Sequence, residues 1–177
     1  MQFIRLSNTQ STVISSLLIA IGVVLPMICQ LTGTNAIGRM LLPMFLPVIL
    51  GSLLLPRKFA IIIALMTPIM NNILKGLPPV PLLYFITLEL GIYALVANFL
   101  RDKLQMRLTI LISFILGRGF YIIALLFVVK IMGLHIDNVL FYSLLMAVPV
   151  SIPAIILQII FVPMIYNKSV MVLNSGR

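Results

Sequence analysis

Acidic residues are scarce in this chain, three Asp and Glu against twelve Lys and Arg among 177 residues, and charged residues of either sign make up only 8%. Proton-driven antiport commonly relies on several membrane-embedded acids, and only Glu89 stands inside an apolar run. Cys29 is the single cysteine, which excludes an intrachain disulfide. His135 is the single histidine; beside Asp137 in a short polar loop it reads as a solvated side chain, and no His/Cys cluster has the spacing of a metal site. The sequence has no Walker motif, no H-E-x-x-H, no G-x-S-x-G and no pair of acids sharing a cavity. No catalytic residue, metal or cofactor is therefore expected. No internal repeat is visible, so an inverted-repeat transporter gains no support.

Apolar residues fill the rest: 62% of the chain is hydrophobic, and they fall into runs of crossing length. A crossing needs about 20 apolar residues, so six of them with short loops nearly exhaust the chain and leave no room for a soluble ATPase or receptor domain. The runs extend over about 12–30, 40–55, 59–74, 82–100, 108–132 and 139–166. Basic residues cluster at every second gap. Arg5 precedes the first run, Arg57 and Lys58 follow the second, Arg101, Lys103 and Arg107 follow the fourth, and Lys168 and Arg177 follow the last. Alternate gaps hold only Arg39, Lys75 and Lys130. Lys and Arg are retained on the cytoplasmic side during insertion, so the alternation predicts an all-α integral membrane protein with six transmembrane helices and both termini cytoplasmic. Residues 1–177 then form a single six-helix transmembrane domain. The basic excess is explained by topology and anionic lipid, without nucleic acid.

Two runs need separate treatment. The second contains Pro43 and Pro47, the third contains Pro68, and each is short for a straight crossing. A re-entrant hairpin would bury Arg57 and Lys58 in lipid at its tip, whereas two crossings place them in water; two crossings are expected. Each proline removes a helical hydrogen bond, and the freed carbonyl needs a partner, so these kinks should face protein or a cavity and not lipid. The first run continues to Ile28 with no small-residue cleavage site, so it reads as a retained helix and not a signal peptide.

Within this frame a few polar residues stand out. Glu89 lies 12 residues before Arg101 and Arg118 lies 11 after Arg107, about 18 Å and 16 Å from the same membrane face at 1.5 Å per residue. They share a depth near mid-membrane on consecutive helices. They either form a buried ion pair fastening two helices, or face a polar cavity and a ligand, or both. Tyr93 shares a face with Glu89 and Tyr121 with Arg118. Arg39, Asn35, Asn71, Asn72, Lys75 and Tyr84 gather on outer loops or outer helix ends, while Ser151 and Gln158 lie in the sixth run. Singly, each can be an interfacial anchor; together they resemble a small polar pocket for a water-soluble molecule. Ser16 and Ala20 form a small-xxx-small pair on the first helix, suited either to packing within this bundle or to docking another membrane subunit.

The stretch from Gly38 to Val48, Glu89-Leu90-Gly91-Ile92-Tyr93, Gly117-Arg118 and the segment from Ile152 to Gln158 occur in an order and spacing that resemble the substrate-binding S components of energy-coupling factor (ECF) transporters. The resemblance covers nearly the whole chain. It implies a protein of the bacterial plasma membrane that binds a water-soluble vitamin or precursor on the outer side. It implies docking on a transmembrane coupling subunit served by two cytoplasmic ATPases, and transport by toppling of the whole S component. The polar residues gathered above, Arg39, Asn71, Asn72, Lys75, Tyr84, Glu89, Tyr93, Arg118, Tyr121 and Gln158, are then the expected substrate contacts, and the resemblance implies partner docking through Ser16 and Ala20, where relatives carry A-x-x-x-A. Phe45 stands where relatives are expected to have His, and Ala154 where they have Gly; both departures bear on the substrate. A pocket in which Glu89 neutralises Arg118 favours hydroxyl- and amide-rich ligands, pantothenate-like or pyridoxine-like. The competing readings are a stand-alone secondary transporter with Glu89 as its proton site, and an assembly subunit without a pocket.

Overall fold

Prolines and a few polar side chains divide the apolar sequence into helices. A computed structural model describes residues 6–31, 43–130, 146 and 149–175. Arg39 lies outside the described residues, as do Asn35, His135 and Asp137. The first helix, α1 (Asn8–Leu31), begins four residues before its apolar run because Ser7 and Gln10 form a capping box. The Gln10 amide donates to Ser7 Oγ at 3.2 Å, and the Ser7 amide donates to Gln10 Oε1 at 3.0 Å, satisfying two open N–H groups. Helix α2 (Phe45–Leu54) is stopped by Pro56, which also opens α3 (Arg57–Lys75). Helix α3 closes on Gly76, whose φ of 67° suits a residue without a Cβ and whose amide donates to Asn72 O. Helices α4 (Leu82–Leu100), α5 (Met106–Lys130) and α6 (Ile152–Ser175) complete the described elements.

Among the described residues there is no strand, and five helices (α1, α3, α4, α5 and α6) are long and apolar enough to cross a membrane. The second expected crossing is represented by α2, whose ten residues extend about 15 Å, half of a hydrocarbon core of about 30 Å. It is also the element enclosed by the others, touching α1, α3, α4 and α6, and nearly all of its residues are buried. In the sixth run, residues 146, 149 and 150 are helical. After a turn at Ser151 the helix α6 starts at Ile152, with Pro153 in its first turn where a missing N–H costs nothing, and continues past Lys168 to Ser175.

The ends of the helices sort by charge. Lys58 Nζ donates to Asn8 Oδ1 at 3.1 Å, so α1 and α3 start together. Arg101 Nη1 donates to Leu55 O at 2.6 Å, so α2 and α4 finish at that same end. Arg57, Lys58, Arg101, Lys103 and Arg107 therefore share one end of the bundle, as the alternation of basic gaps requires.

The expectation that proline kinks face protein is met at Pro47 and Pro68, both buried, while Pro43 is half-buried; Pro26 of α1, outside that expectation, is buried as well. At two prolines the open carbonyl has an identifiable partner. Pro26 cannot donate to Gly22 O, and Asn71 Nδ2 from α3 donates there at 3.0 Å while also donating to Thr67 O. Lys75 Nζ reaches the next carbonyl, Val23 O, at 2.7 Å. Pro56 cannot donate to Ser52 O, and Asn98 Nδ2 from α4 donates there at 2.9 Å and to Leu55 O at 3.0 Å. Gly22 makes the first contact possible, since a Cβ there would lie 2.6 Å from Thr67 Cγ2.

A double-mutant cycle tests the Pro26–Asn71 coupling. Asn71→Leu leaves Gly22 O buried without a donor and is expected to cost about 1–3 kcal/mol. In a Pro26→Ala background the helix regains its own N–H, and the same substitution should cost measurably less. Thermal unfolding of the four proteins in one detergent reads the difference; equal costs in both backgrounds would detach Asn71 from the proline.

Candidate functional site

Helices α4 and α5 run antiparallel, and residues spaced by about one turn on each meet as three rungs across their interface. Phe85 faces Tyr121 edge to face with ring centroids 6.0 Å apart. Glu89 faces Arg118, with Oε1 3.0 Å from Nε. Tyr93 faces Phe114 at 6.3 Å, again edge to face. The helices approach closely because Gly117 carries no side chain, and a Cβ there would already touch Glu89 O at 3.4 Å and Tyr93 Cβ at 3.5 Å.

The central rung is charged and almost dry. Glu89 is 1% exposed and Arg118 6%. Rings surround the guanidinium: its Cζ lies 5.2 Å from the Phe114 centroid, 5.6 Å from Tyr121 and 5.9 Å from Phe45. Ring faces at this range favour a cation, and they partly replace the water that Arg118 has lost. Phe45 comes from α2 and also packs against Tyr93 at 5.9 Å, so the enclosed short helix closes one side of the site. From α6, Gln158 reaches in, and Tyr93 donates its hydroxyl to Gln158 Oε1 at 2.7 Å.

This network is not fully satisfied internally. Among the described residues, Glu89 Oε2 and Gln158 Nε2 are buried without a hydrogen-bond partner. Arg118 Nε, though 3.0 Å from Glu89 Oε1, is off the line that a hydrogen bond requires. One unpaired acceptor, Glu89 Oε2, and two donors without a hydrogen bond, Gln158 Nε2 and Arg118 Nε, thus remain around a neutralised ion pair. Such atoms are costly unless something pairs with them, and a ligand carrying hydroxyl or amide groups has the complementary chemistry.

The residues singled out from the sequence divide into groups. Glu89, Tyr93, Arg118, Tyr121 and Gln158 come together around this pair. Asn71 and Lys75 lie at the α1–α3 interface, on carbonyls next to Pro26. Asn72 Nδ2 donates to Pro78 O at 2.8 Å and braces the proline-rich turn between α3 and α4. Tyr84 is 66% exposed in the first full turn of α4. Ser151 is buried just before α6. Ser16 and Ala20 are exposed on α1, on a face not covered by the described helices. Two residues that sequence reasoning did not assign to the site are Phe114 and Phe45. Phe114 had a signal, since it lies four residues before Arg118 on the same helical face. Phe45 had its signal in the family resemblance, as the position where relatives are expected to have His, and none in spacing, because its place depends on how α2 enters the bundle. The described residues hold no group of three His, Cys, Asp or Glu able to bind a metal.

A family model described as ECF transporter, substrate-specific component, matches residues 10–166 of the chain. Neither a curated protein nor a solved structure matches it.

Proposed function

Because the chain belongs to the substrate-specific components of ECF transporters, we propose that its α4–α5–α6 network is the substrate site and that the substrate is a neutral, hydroxyl- or amide-bearing vitamin or vitamin precursor. Membership makes the protein a multi-pass membrane component of an uptake system that works with an ECF module, in a family of transport components and not of enzymes. The observation that carries the finer reading is the pair of buried, unpartnered atoms, Glu89 Oε2 and Gln158 Nε2, beside an ion pair that is already neutral. The first asks for a ligand donor and the second for a ligand acceptor. A pyridoxine-like molecule offers both without a net charge; a pantothenate-like molecule also does so through its hydroxyl and amide groups, but its carboxylate must then lie away from Glu89.

In this reading Glu89, Tyr93, Arg118, Tyr121 and Gln158 form the floor of the site. Arg39, Asn71, Asn72, Lys75 and Tyr84 belong to the outer end above it, where Asn71 and Lys75 act by holding α1 on α3. The end rich in Arg and Lys faces the cytoplasm, both termini included, and six crossings result when α2 is counted with the five longer helices. The partners are the transmembrane coupling subunit and two cytoplasmic ATPases, in a bacterial plasma membrane. Arg118 remains the group for any carboxylate or phosphate that displaces Glu89.

Native mass spectrometry of the detergent-purified protein, followed by a thermal-shift panel of water-soluble vitamins, tests the assignment. A co-purified or stabilising vitamin is expected, and Gln158→Leu should weaken its binding about tenfold to a hundredfold, the scale of one hydrogen bond in a dry site. No bound molecule and no stabilising vitamin would set the substrate reading aside. Uptake that survives loss of the ATPases and depends on protons would favour the secondary-transporter reading instead.

A further inference from the structure

The basic end of the bundle holds a second feature, unrelated to the substrate network. Where α3 begins and α4 ends, an open cleft of about 580 Å³ lies between Arg57 on one side and Asn98, Phe99, Arg101, Asp102 and Lys103 on the other. That volume lies within the range of sites that take whole organic ligands, about 300–1,000 Å³. We infer that this cleft binds the phosphate headgroup of an anionic phospholipid, with Arg57 and Lys103 as its cationic walls.

Charge comes first. Arg101 is committed to the protein, donating to Leu53 O at 3.2 Å and Leu55 O at 2.6 Å, and its Nε lies 3.5 Å from Asp102 Oδ1. The one carboxylate of the cleft is therefore set against the one arginine already in use. Arg57 and Lys103 are both exposed and add two positive charges to the lining. Lys103 Nζ stands 3.9 Å from the Phe99 ring centroid, a contact that directs the ammonium over the cleft side of α4.

Position comes second. The cleft sits at the ends of two membrane-length helices, at the level where headgroups lie. A soluble phosphate would need only the cations. A lipid also needs an apolar track leading away from them, and α4 supplies one. Phe99, Leu95 and Leu88 are exposed at 53%, 38% and 44% and share a helical face, so an acyl chain can lie along them while its headgroup occupies the cleft. Basic pockets between helices on the side of anionic lipid are suited to such headgroups.

The full chain in mixed detergent micelles, offered phosphatidylglycerol and phosphatidylcholine with the same acyl chains, tests this by native mass spectrometry. The protein should retain phosphatidylglycerol over phosphatidylcholine by roughly tenfold to thirtyfold, from two cations near the surface. Arg57→Gln combined with Lys103→Gln should bring the ratio near one without lowering thermal stability, and millimolar glycerol 3-phosphate should not displace the lipid. Equal retention of both lipids by the unsubstituted protein overturns the inference, as does an unchanged ratio in the double variant. Displacement by glycerol 3-phosphate assigns the cleft to a soluble phosphate compound instead. An unchanged ratio with lost binding to the coupling subunit makes these residues a protein contact.

Discussion

Arg118→Ala should be the most damaging single substitution in this protein, lowering stability by about 3–5 kcal/mol and abolishing substrate binding. The size follows from what is left behind. Glu89 is 1% exposed, its Oε2 already lacks a partner among the described residues, and its only described counter-ion is Arg118. Three aromatic rings, Phe45, Phe114 and Tyr121, would line the emptied space, and none of them carries a positive charge to replace the guanidinium. Thermal unfolding in detergent, with the yield of folded protein, reads the first effect. A companion variant separates structure from function. Glu89→Leu combined with Arg118→Met removes both charges while keeping apolar volume, and such replacements of a buried pair are often neutral or stabilising. The double variant should therefore recover most of the stability and none of the vitamin binding. If it binds its vitamin as before, the pair is only a fastening between α4 and α5, and the substrate lies elsewhere.

The second large effect concerns assembly. Ser16→Leu or Ala20→Leu should leave vitamin binding and thermal stability unchanged while preventing co-purification with the coupling subunit and reducing uptake to background. Neither side chain is buried in the bundle, so Leu at either position meets no described helix. Around them Val13, Leu17 and Val24 are exposed, and such residues alone would simply face lipid. The two small side chains differ by forming a shallow strip one turn apart, where a partner helix can come close enough for backbone packing. Ser16 Oγ is held to Thr12 O at 3.0 Å, which keeps its polar atom on its own helix. Complex formation that survives both substitutions would return this face to lipid.

Much of the scaffold was legible because membranes impose one-dimensional rules. Apolar run length and the alternation of basic gaps gave the helices and gathered Arg57, Arg101 and Arg107 at one end. The same arithmetic of rise per residue put Glu89 and Arg118 at one depth, where they form an ion pair 3.0 Å apart. Depth, however, says nothing of direction around the helix axis. Asn71 and Lys75 read as polar residues of an outer helix end and Glu89 as one near mid-membrane. Only packing shows that the first two face α1 and the third faces α5. Contacts between distant segments were equally hidden: Tyr93 meets Gln158 across 65 positions, and Asn98 meets Ser52 across 46. The extent of α2 is hidden for a related reason: a helix enclosed by four others is apolar on every face, so composition does not mark where it begins.

The match between Pro26 and Asn71 also constrains the order in which the two residues can be exchanged. An ancestor with another residue at position 26 has an amide there for Gly22 O, so an asparagine arriving at position 71 first is harmless, because Thr67 O already engages its amide. A proline arriving first would strand a carbonyl in a dry interface. The route therefore opens in one order, asparagine and then proline, and reverses only in the opposite order. Descendants that differ at position 71 should be those in which position 26 has already changed.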